Sequence, residues 1–311
     1  MKASTTDTPS PDQTLARMLR RAGAALLVAG CVAMAGCVSV TSLQVLTSDS
    51  AADIQGGPTA CASTEPARRP QPFTASLAAL DPNEISVLNW NIYKGQRDNW
   101  AGDFGRFSLR QDIVIIQEAH LDDKLKNLLS ENNLHWNMNA AFYYNDSAAG
   151  VMTAASIEPI YSCGMRFAEP LIRIPKSTLV SYYPIDGMEQ TLLVANIHGI
   201  NFTFGTDAYA EQVNALRDVV RRHRGPVIVA GDFNSWSDAR MAIVQAMVDD
   251  LGLASLEYRN HNRTRWFGQA IDHVFYRGLE PLSQHAWRVT SSDHNPISVS
   301  FRVSGAELAS K

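Results

Sequence analysis

Between residues 85 and 303 the chain repeats one pattern: a short apolar run stops at a polar residue capable of chemistry. Val227-Ile228-Val229-Ala230 runs into Gly231-Asp232-Phe233-Asn234, Leu192–Ala195 into Asn196-Ile197-His198, and Val87-Leu88 into Asn89-Trp90-Asn91. Ile113–Ile116 runs into Gln117-Glu118, and Ile271 into Asp272-His273. Apolar runs this short, bounded by turn residues, suit strands. In extended chain, residues two apart project to the same side. Asp232 and Asn234, Asn196 and His198, and Asn89 and Asn91 are such pairs. A sheet brings its strand ends together, so a fold that obeys this pattern gathers these groups on one edge. Ser292-Asp293-His294-Asn295-Pro296 adds a turn before the last apolar run. The proline keeps Asn295 out of helix and leaves Asp293 and His294 on a loop.

The expected strands are Ile85–Trp90, Ile113–Ile116, Val151–Ala155, Thr178–Tyr183, Leu192–Ile197, Val227–Ala230, Ile271–Tyr276 and Ile297–Phe301. The expected helices are Asp122–Glu131, Asp207–His223 and Asp238–Leu251. The second opens on acid and closes on Arg221, Arg222, His223 and Arg224, a polarity that suits the helix dipole. Many strands with few helices give an α/β (α+β) class: two packed β-sheets flanked by helices in one domain, 85–303, with a tail at 304–311.

Each motif taken alone has an ordinary structural reading. Gly-Asp-Phe-Asn makes a turn, Glu118 starts a helix, and Asn-Ile-His holds a satisfied core histidine. Their joint placement at strand ends is what argues for a site. The chain is 45% hydrophobic and 19% charged with a formal charge of −4. That balance excludes avid, sequence-blind nucleic-acid binding across the whole surface. The four cysteines, Cys31, Cys37, Cys61 and Cys163, include no CxxC pair, so no structural zinc is expected. A disulfide framework is not expected in a domain this large, and Cys163 reads as a small buried apolar residue.

In order and wording, Leu88-Asn89-Trp90-Asn91-Ile92, Gln117-Glu118, Asn196-Ile197-His198, Gly231-Asp232-Phe233-Asn234, Ile271-Asp272 and Ser292-Asp293-His294-Asn295-Pro296 resemble the endonuclease/exonuclease/phosphatase superfamily. The resemblance covers nearly all of 85–303. Asn91-Ile92-Tyr93-Lys94 and Phe275-Tyr276-Arg277-Gly278-Leu279 look most like its YafD-like branch. It implies a DNase I-like four-layer sandwich of two mixed sheets and metal-dependent phosphoester hydrolysis. By that resemblance Glu118, Asp293 and Asn91 ligate the metal, and all-oxygen ligation points to Mg²⁺ or Mn²⁺. Asp232 is the general base and Asn234 orients the phosphoryl group. His294 donates to a phosphoryl or leaving oxygen with its tautomer fixed by Asp272. His198 is a second donor to developing charge, and Asn196 contacts substrate or supports the site from behind. Arg263 and Arg265 lie in a stretch where cations flank an aromatic, read as a phosphate or nucleic-acid contact surface or as a solvated loop.

Abasic-site endonucleases carry an acid two residues after the first-strand asparagine; here Tyr93 stands there, which argues against DNA repair. The substrate is left open between nucleic acid, phospholipid and a small phosphate ester, and the chain is expected to act as a monomer. The alternatives are a catalytically silent binding module and a cytosolic nuclease with a mis-assigned start.

The N-terminus reads as an address. Arg17, Arg20 and Arg21 precede an uncharged run, Ala22–Val40, as in a secretory signal or anchor. Val28-Ala29-Gly30-Cys31 and Met34-Ala35-Gly36-Cys37 both resemble a lipobox, making Cys31 or Cys37 the expected lipidation site. Residues 1–40 are therefore expected to attach the chain to a membrane at the bacterial cell envelope. Residues 41–84, rich in Ser, Thr, Ala, Pro and Gly, are expected to be a mostly disordered tether.

Overall fold

The computed structural model describes residues 38–42, 45–48, 61, 78–258 and 262–305. The lipidation candidates Cys31 and Cys37 lie outside them. Val38–Ser39 are extended and belong to an N-terminal unit, Met1–Ser39; every element below belongs to the unit Val40–Lys311. No helix among the described residues is long and apolar enough to cross a membrane.

Two mixed β-sheets pack face to face. The first has the order β1 (Val45–Thr47), β4 (His135–Tyr144), β5 (Ser147–Ala155), β3 (Ile113–His120), β2 (Ile85–Asn91), β15 (Ile297–Val303), β14 (Leu279–Ala286). The second has the order β10 (Ala254–Ser255), β13 (Asp272–Arg277), β9 (Val227–Asp232), β8 (Thr191–His198), β7 (Pro175–Pro184), β6 (Tyr161–Ala168). A hairpin, β11 (Arg265–Trp266) and β12 (Gln269–Ala270), stands apart. Each sheet holds one parallel pair, β2 with β3 and β8 with β9; the neighbouring pairs are antiparallel. A parallel pair needs a crossover, and helices α1 (Trp100–Ser108) and α3 (Asp207–Val220) supply the two. Helices α2 (Asp123–Glu131) and α4 (Asp238–Leu251) follow the second strand of each pair.

Three apolar clusters hold the layers. Ile85, Val87, Ile113 and Ile115 of the first sheet meet Tyr183, Leu192, Val194 and Ile228 of the second between the sheets. Trp100, Phe104, Leu125 and Leu129 of α1 and α2 cover the outer face of the first sheet. Tyr209, Val213, Val244 and Val248 of α3 and α4 cover the second. Strand β8, sandwiched on both faces, is buried at all eight positions. The four-layer arrangement expected from the sequence is the one observed.

Two expectations are corrected. The segment 41–84 is not simply a tether. Val45–Thr47 extend the first sheet along β4, and Leu80 exchanges backbone hydrogen bonds with Pro184 and Asp186 at 2.9 Å. Cys61, buried, forms a disulfide with Cys163 on β6, with Cα atoms 5.4 Å apart. Cys163 is thus a cross-link, placed on the outer face of the second sheet. The sequence reading failed because the partner sits 102 residues away in a segment without apolar periodicity.

Closing a loop of that length removes chain entropy from the unfolded state. Reduction, or Cys163→Ser, is expected to lower unfolding free energy by about 2–4 kcal/mol, read from urea melts with and without reductant. Identical melts, with both thiols titratable in the untreated protein, would contradict the cross-link.

Candidate functional site

The polar strand ends converge. Register places His198, Asp232 and Asp272 side by side across the second sheet: Asp232 pairs with His198 on one flank and Asp272 on the other. Asn91 pairs with Gln117 at the corresponding end of the first. Gly231 lets β9 run against β8, since a Cβ there would stand 2.0 Å from the Ile197 carbonyl oxygen. Asn91 reaches across the sheets and donates from Nδ2 to Asp232 Oδ2 at 3.1 Å.

At the centre, ligand atoms of Asp232, Asp272 and His294 all lie within 4.8 Å of one another, and all three residues are buried. His294 donates from Nδ1 to both Asp272 oxygens, at 3.0 and 2.9 Å, and presents Nε2 to Asp232 Oδ2 at 3.8 Å. Burial opposes a charged ring, but Asp272 and Asp232 outweigh it and raise the His294 pKa to about 10. Burial pushes Asp232 above the usual carboxylate range, against the pull of His294. The Ser292 hydroxyl accepts from the His294 N–H at 3.1 Å and donates to the Asn91 carbonyl at 2.7 Å. This fixes the 292–294 turn on β2.

Glu118 sits in a β-bulge. Ile116 pairs with Met152 and Ala119 with Gly150, so Gln117 and Glu118 together oppose Val151. Its φ of 50° is left-handed, a strain typical of functional positions. The carboxylate is ion-paired with Lys94 and lies 3.8 Å from His198 Nε2. Burial would raise its pKa, but Lys94, His198 and Lys176 bring it down to about 2. Lys94 gets there through two consecutive left-handed residues, Tyr93 and Lys94, at φ 51° and 54°. Lys176 Nζ donates to His198 Nε2 at 2.8 Å. Burial and then Lys176 push His198 well below its ordinary pKa, so its ring is neutral.

Several expected roles change. Asn196 does not face substrate: its Nδ2 donates to the Ile116 and Met152 carbonyls at 3.0 and 2.8 Å, and its Oδ1 accepts from Gln117 at 2.8 Å. It is a buried rivet between sheets. Asn234 turns its amide to the Gly199 carbonyl at 3.0 Å and its backbone N–H to Asp232 Oδ1 at 2.9 Å. Its contacts hold Asp232 in place. His198 accepts from Lys176, so the cation on this flank is Lys176.

Asp293 is half-buried, with Ser292 Oγ 3.4 Å from its Oδ1, and is not part of the three-residue cluster. Arg263 lies over the Tyr258 ring at 4.7 Å and acts electrostatically on Asp272. Arg265 is exposed on the hairpin, donating to Gly268. Lys94 and Lys176 were missed as site residues. The signal available for Lys94 was its place three residues after Asn91; Lys176 precedes the apolar run expected at Thr178 and gave none.

The donors available to a cation fit a hard divalent ion. The Glu118 carboxylate is ionised throughout the physiological range and would exchange its Lys94 partner for the ion, and Asn91 Oδ1, at the end of the adjacent strand, accepts from the Tyr93 N–H at 3.1 Å and keeps a second lone pair.

A family model described as Endonuclease/Exonuclease/phosphatase family matches residues 88–294. A UPF0294 protein of Vibrio campbellii is 43% identical over 221 residues, 70% of this chain and 77% of its own. One from Klebsiella pneumoniae is 38% identical over 229 residues, 74% of this chain and 86% of its own. Among solved structures, an endonuclease/exonuclease/phosphatase from Beutenbergia cavernae superposes with TM-score 0.53 at 19% identity over 73% of both chains. The human Nocturnin catalytic domain with bound sulfate gives 0.54 at 15% identity over 74% of this chain and 97% of its own. At these identities the structural likeness carries the fold alone.

Two outcomes test the site's construction. Asn196→Ala strips buried carbonyls of their donor and is expected to cost roughly 2–4 kcal/mol of stability, measured by urea unfolding; a variant as stable as the parent would return Asn196 to a substrate role. His273 is buried beside Ser235 Oγ at 2.8 Å, and burial lowers its pKa from 6.5 to about 4. The folded state therefore favours the neutral ring. The stability His273 contributes is complete above pH 6.5 and is lost as pH falls through 4, in total on the order of 3 kcal/mol. In His273→Gln that portion of the acid loss should vanish from stability–pH curves; an unchanged slope between pH 6.5 and 4 would assign it elsewhere.

Proposed function

Because this chain belongs to the endonuclease/exonuclease/phosphatase family, we propose that it hydrolyses phosphoester bonds by in-line attack of water, with Asp232 as base and His294 as acid. The observation that carries this reading is the buried Asp272–His294–Asp232 line, whose members have environments that push their proton affinities apart. Asp232, raised toward neutrality by burial, takes a proton from water. Asn91 and Asn234 hold its oxygens in place. His294, kept protonated by Asp272, gives a proton to the leaving oxygen and restrains charge on the phosphoryl group. Lys176 and Lys94 supply positive charge on the opposite flank, beside His198 and Glu118. Glu118 and Asn91 would hold Mg²⁺ or Mn²⁺, which when bound neutralises phosphoryl charge and orients the ester.

The same reading places the chain at the cell envelope. The Cys61–Cys163 cross-link suits an oxidising compartment, and the basic-then-apolar start of the sequence suits export or membrane attachment.

Activity should follow a bell in pH. The acid limb tracks Asp232 losing its proton, above the ordinary carboxylate range; the alkaline limb tracks His294 losing its own, near pH 10. Asp232→Asn and His294→Gln should each cost about 10²–10⁴-fold in kcat for bis-p-nitrophenyl phosphate. Asp272→Asn should bring the alkaline limb to lower pH, because it removes the charge that holds the His294 proton. Full activity in both single variants would overturn the assignment, and absence of turnover with Mg²⁺ or Mn²⁺ on any phosphoester would favour a binding module.

A further inference from the structure

The loops that adjoin the strand ends of this site carry an unusual surface. Six of the large apolar side chains exposed among the described residues fall in three loops: Leu171 and Ile172, Phe202 and Phe204, Trp266 and Phe267. Phe204 and Phe267 are 86% and 83% exposed. Side chains standing that far out of the protein do not line a cavity, and apolar groups gathered at one place on a surface mark an interaction site.

The three loops are one surface. The Leu171 N–H donates to the Phe202 carbonyl at 3.5 Å. The buried Glu169 carboxylate accepts from the Asn201 and Phe202 N–H groups at 2.6 and 3.3 Å. Trp236 donates from its indole to Asn201 Oδ1 at 2.9 Å and packs edge-on against Phe267, which in turn packs against Trp266. Beneath them the Arg240 guanidinium gathers the Ile200, Asn201 and Asn234 carbonyls. The apolar tips are thus carried on a stiff base.

Each loop is also continuous with a site residue. The 169–174 loop leads into β7 and Lys176, the 199–206 loop leaves β8 at His198, and the hairpin feeds β13 at Asp272. The Thr264 hydroxyl at the hairpin's foot accepts from the Asn295 N–H, next to His294. Whatever the apolar tips bind is therefore held at the rim of the Asp232–His294 centre.

We propose that these three loops are a docking surface for a phospholipid bilayer, and that the centre behind them acts on a phosphodiester in a lipid headgroup. Aromatic and aliphatic tips flanked by exposed arginines, Arg173 and Arg265, match an interfacial surface: the rings and aliphatic chains enter the acyl boundary while the guanidinium groups meet headgroup phosphates. A nucleic acid fits less well. Leu171 and Ile172 offer no ring for a base to stack on, and a chain of formal charge −4 lacks the cations a phosphate backbone needs. The uncharged run Ala22–Val40, read from the sequence as a membrane address, gives the same chain a second reason to lie at a bilayer. The docking surface stands by itself; the headgroup substrate rests on the hydrolase reading above. In that reaction the water oxygen bonds to phosphorus, its proton passes to Asp232, one P–O ester bond breaks, and the leaving alkoxide takes a proton from His294. A phosphodiester and water become a phosphomonoester and an alcohol.

The test uses the full chain and vesicles of phosphatidylethanolamine and phosphatidylglycerol. Hydrogen exchange read at 200–206 and 265–268 is local, so attachment through the N-terminal segment alone does not move it. Vesicles should slow exchange in both loops. The double variant Phe204→Ser/Phe267→Ser should lose that protection. It should also lose about tenfold or more of the turnover on vesicle lipid, with turnover of soluble bis-p-nitrophenyl phosphate unchanged. Loops that exchange equally with and without vesicles overturn the docking surface even if soluble substrate is turned over. Protection by single-stranded DNA instead of vesicles, or by raising protein concentration alone, replaces the bilayer with a nucleic acid or a second copy. Protected loops with no turnover of any phosphoester keep the docking surface and remove the hydrolase reading.

Discussion

A buried network of three amides sets the geometry on which everything else depends. Asn196, at the end of a strand in the second sheet, donates to two backbone carbonyls of the first and accepts from Gln117, which also donates to Asn89 at 2.9 Å. Apolar packing holds two sheets together but does not fix their sliding register, because the hydrophobic effect is non-directional. Directional hydrogen bonds in a dry interior do, and leaving them unmade is costly. With that register set, the carboxylate and amide at the ends of β3 and β2 stand opposite the histidine and aspartates at the ends of β8, β9 and β13.

The charges at this edge then settle one another. Buried acids are tolerable only with partners, and each one here has a cation or imidazole beside it: Glu118 has Lys94, and Asp232 and Asp272 share His294. Burial, and then Lys176, keeps His198 neutral. A protonated imidazole, a carboxylate of raised proton affinity and fixed positive charge therefore occupy separate places at one sheet edge, the separation that the proposed hydrolysis of a charged ester calls for. The loops that leave these same strand ends carry the exposed aromatic and aliphatic tips.

Much of this was legible in the sequence because buried strands on both faces read as uninterrupted apolar runs, and their polar terminators mark the edge of the sheet. Strands with polar residues in a buried stretch, or with mostly exposed residues, were not. β4, with Asn137 and Asn139 in its interior, and β14, with a proline at its bulge and mostly exposed residues, break the apolar pattern. Helix α1 was missed because it contains two glycines and starts from a left-handed Asn99 without a side-chain cap. Lys94 lies in a motif that points to a branch of the family and not to a role, and Lys176, which acts through charge, carries no motif. Nor does a disulfide whose partner lies in a segment of turn-forming composition. The motif residues do gather at one edge of the two sheets, but the spacing of side chains along a strand does not tell which amide turns inward, as Asn196 and Asn234 do.

The central claim is that water attacks phosphorus in this cleft. Turnover of bis-p-nitrophenyl phosphate in heavy-oxygen water measures this directly, with the products analysed by mass spectrometry. The account predicts the heavy oxygen in the p-nitrophenyl phosphate and none in the nitrophenol. Label in the nitrophenol, or in neither product, would contradict it.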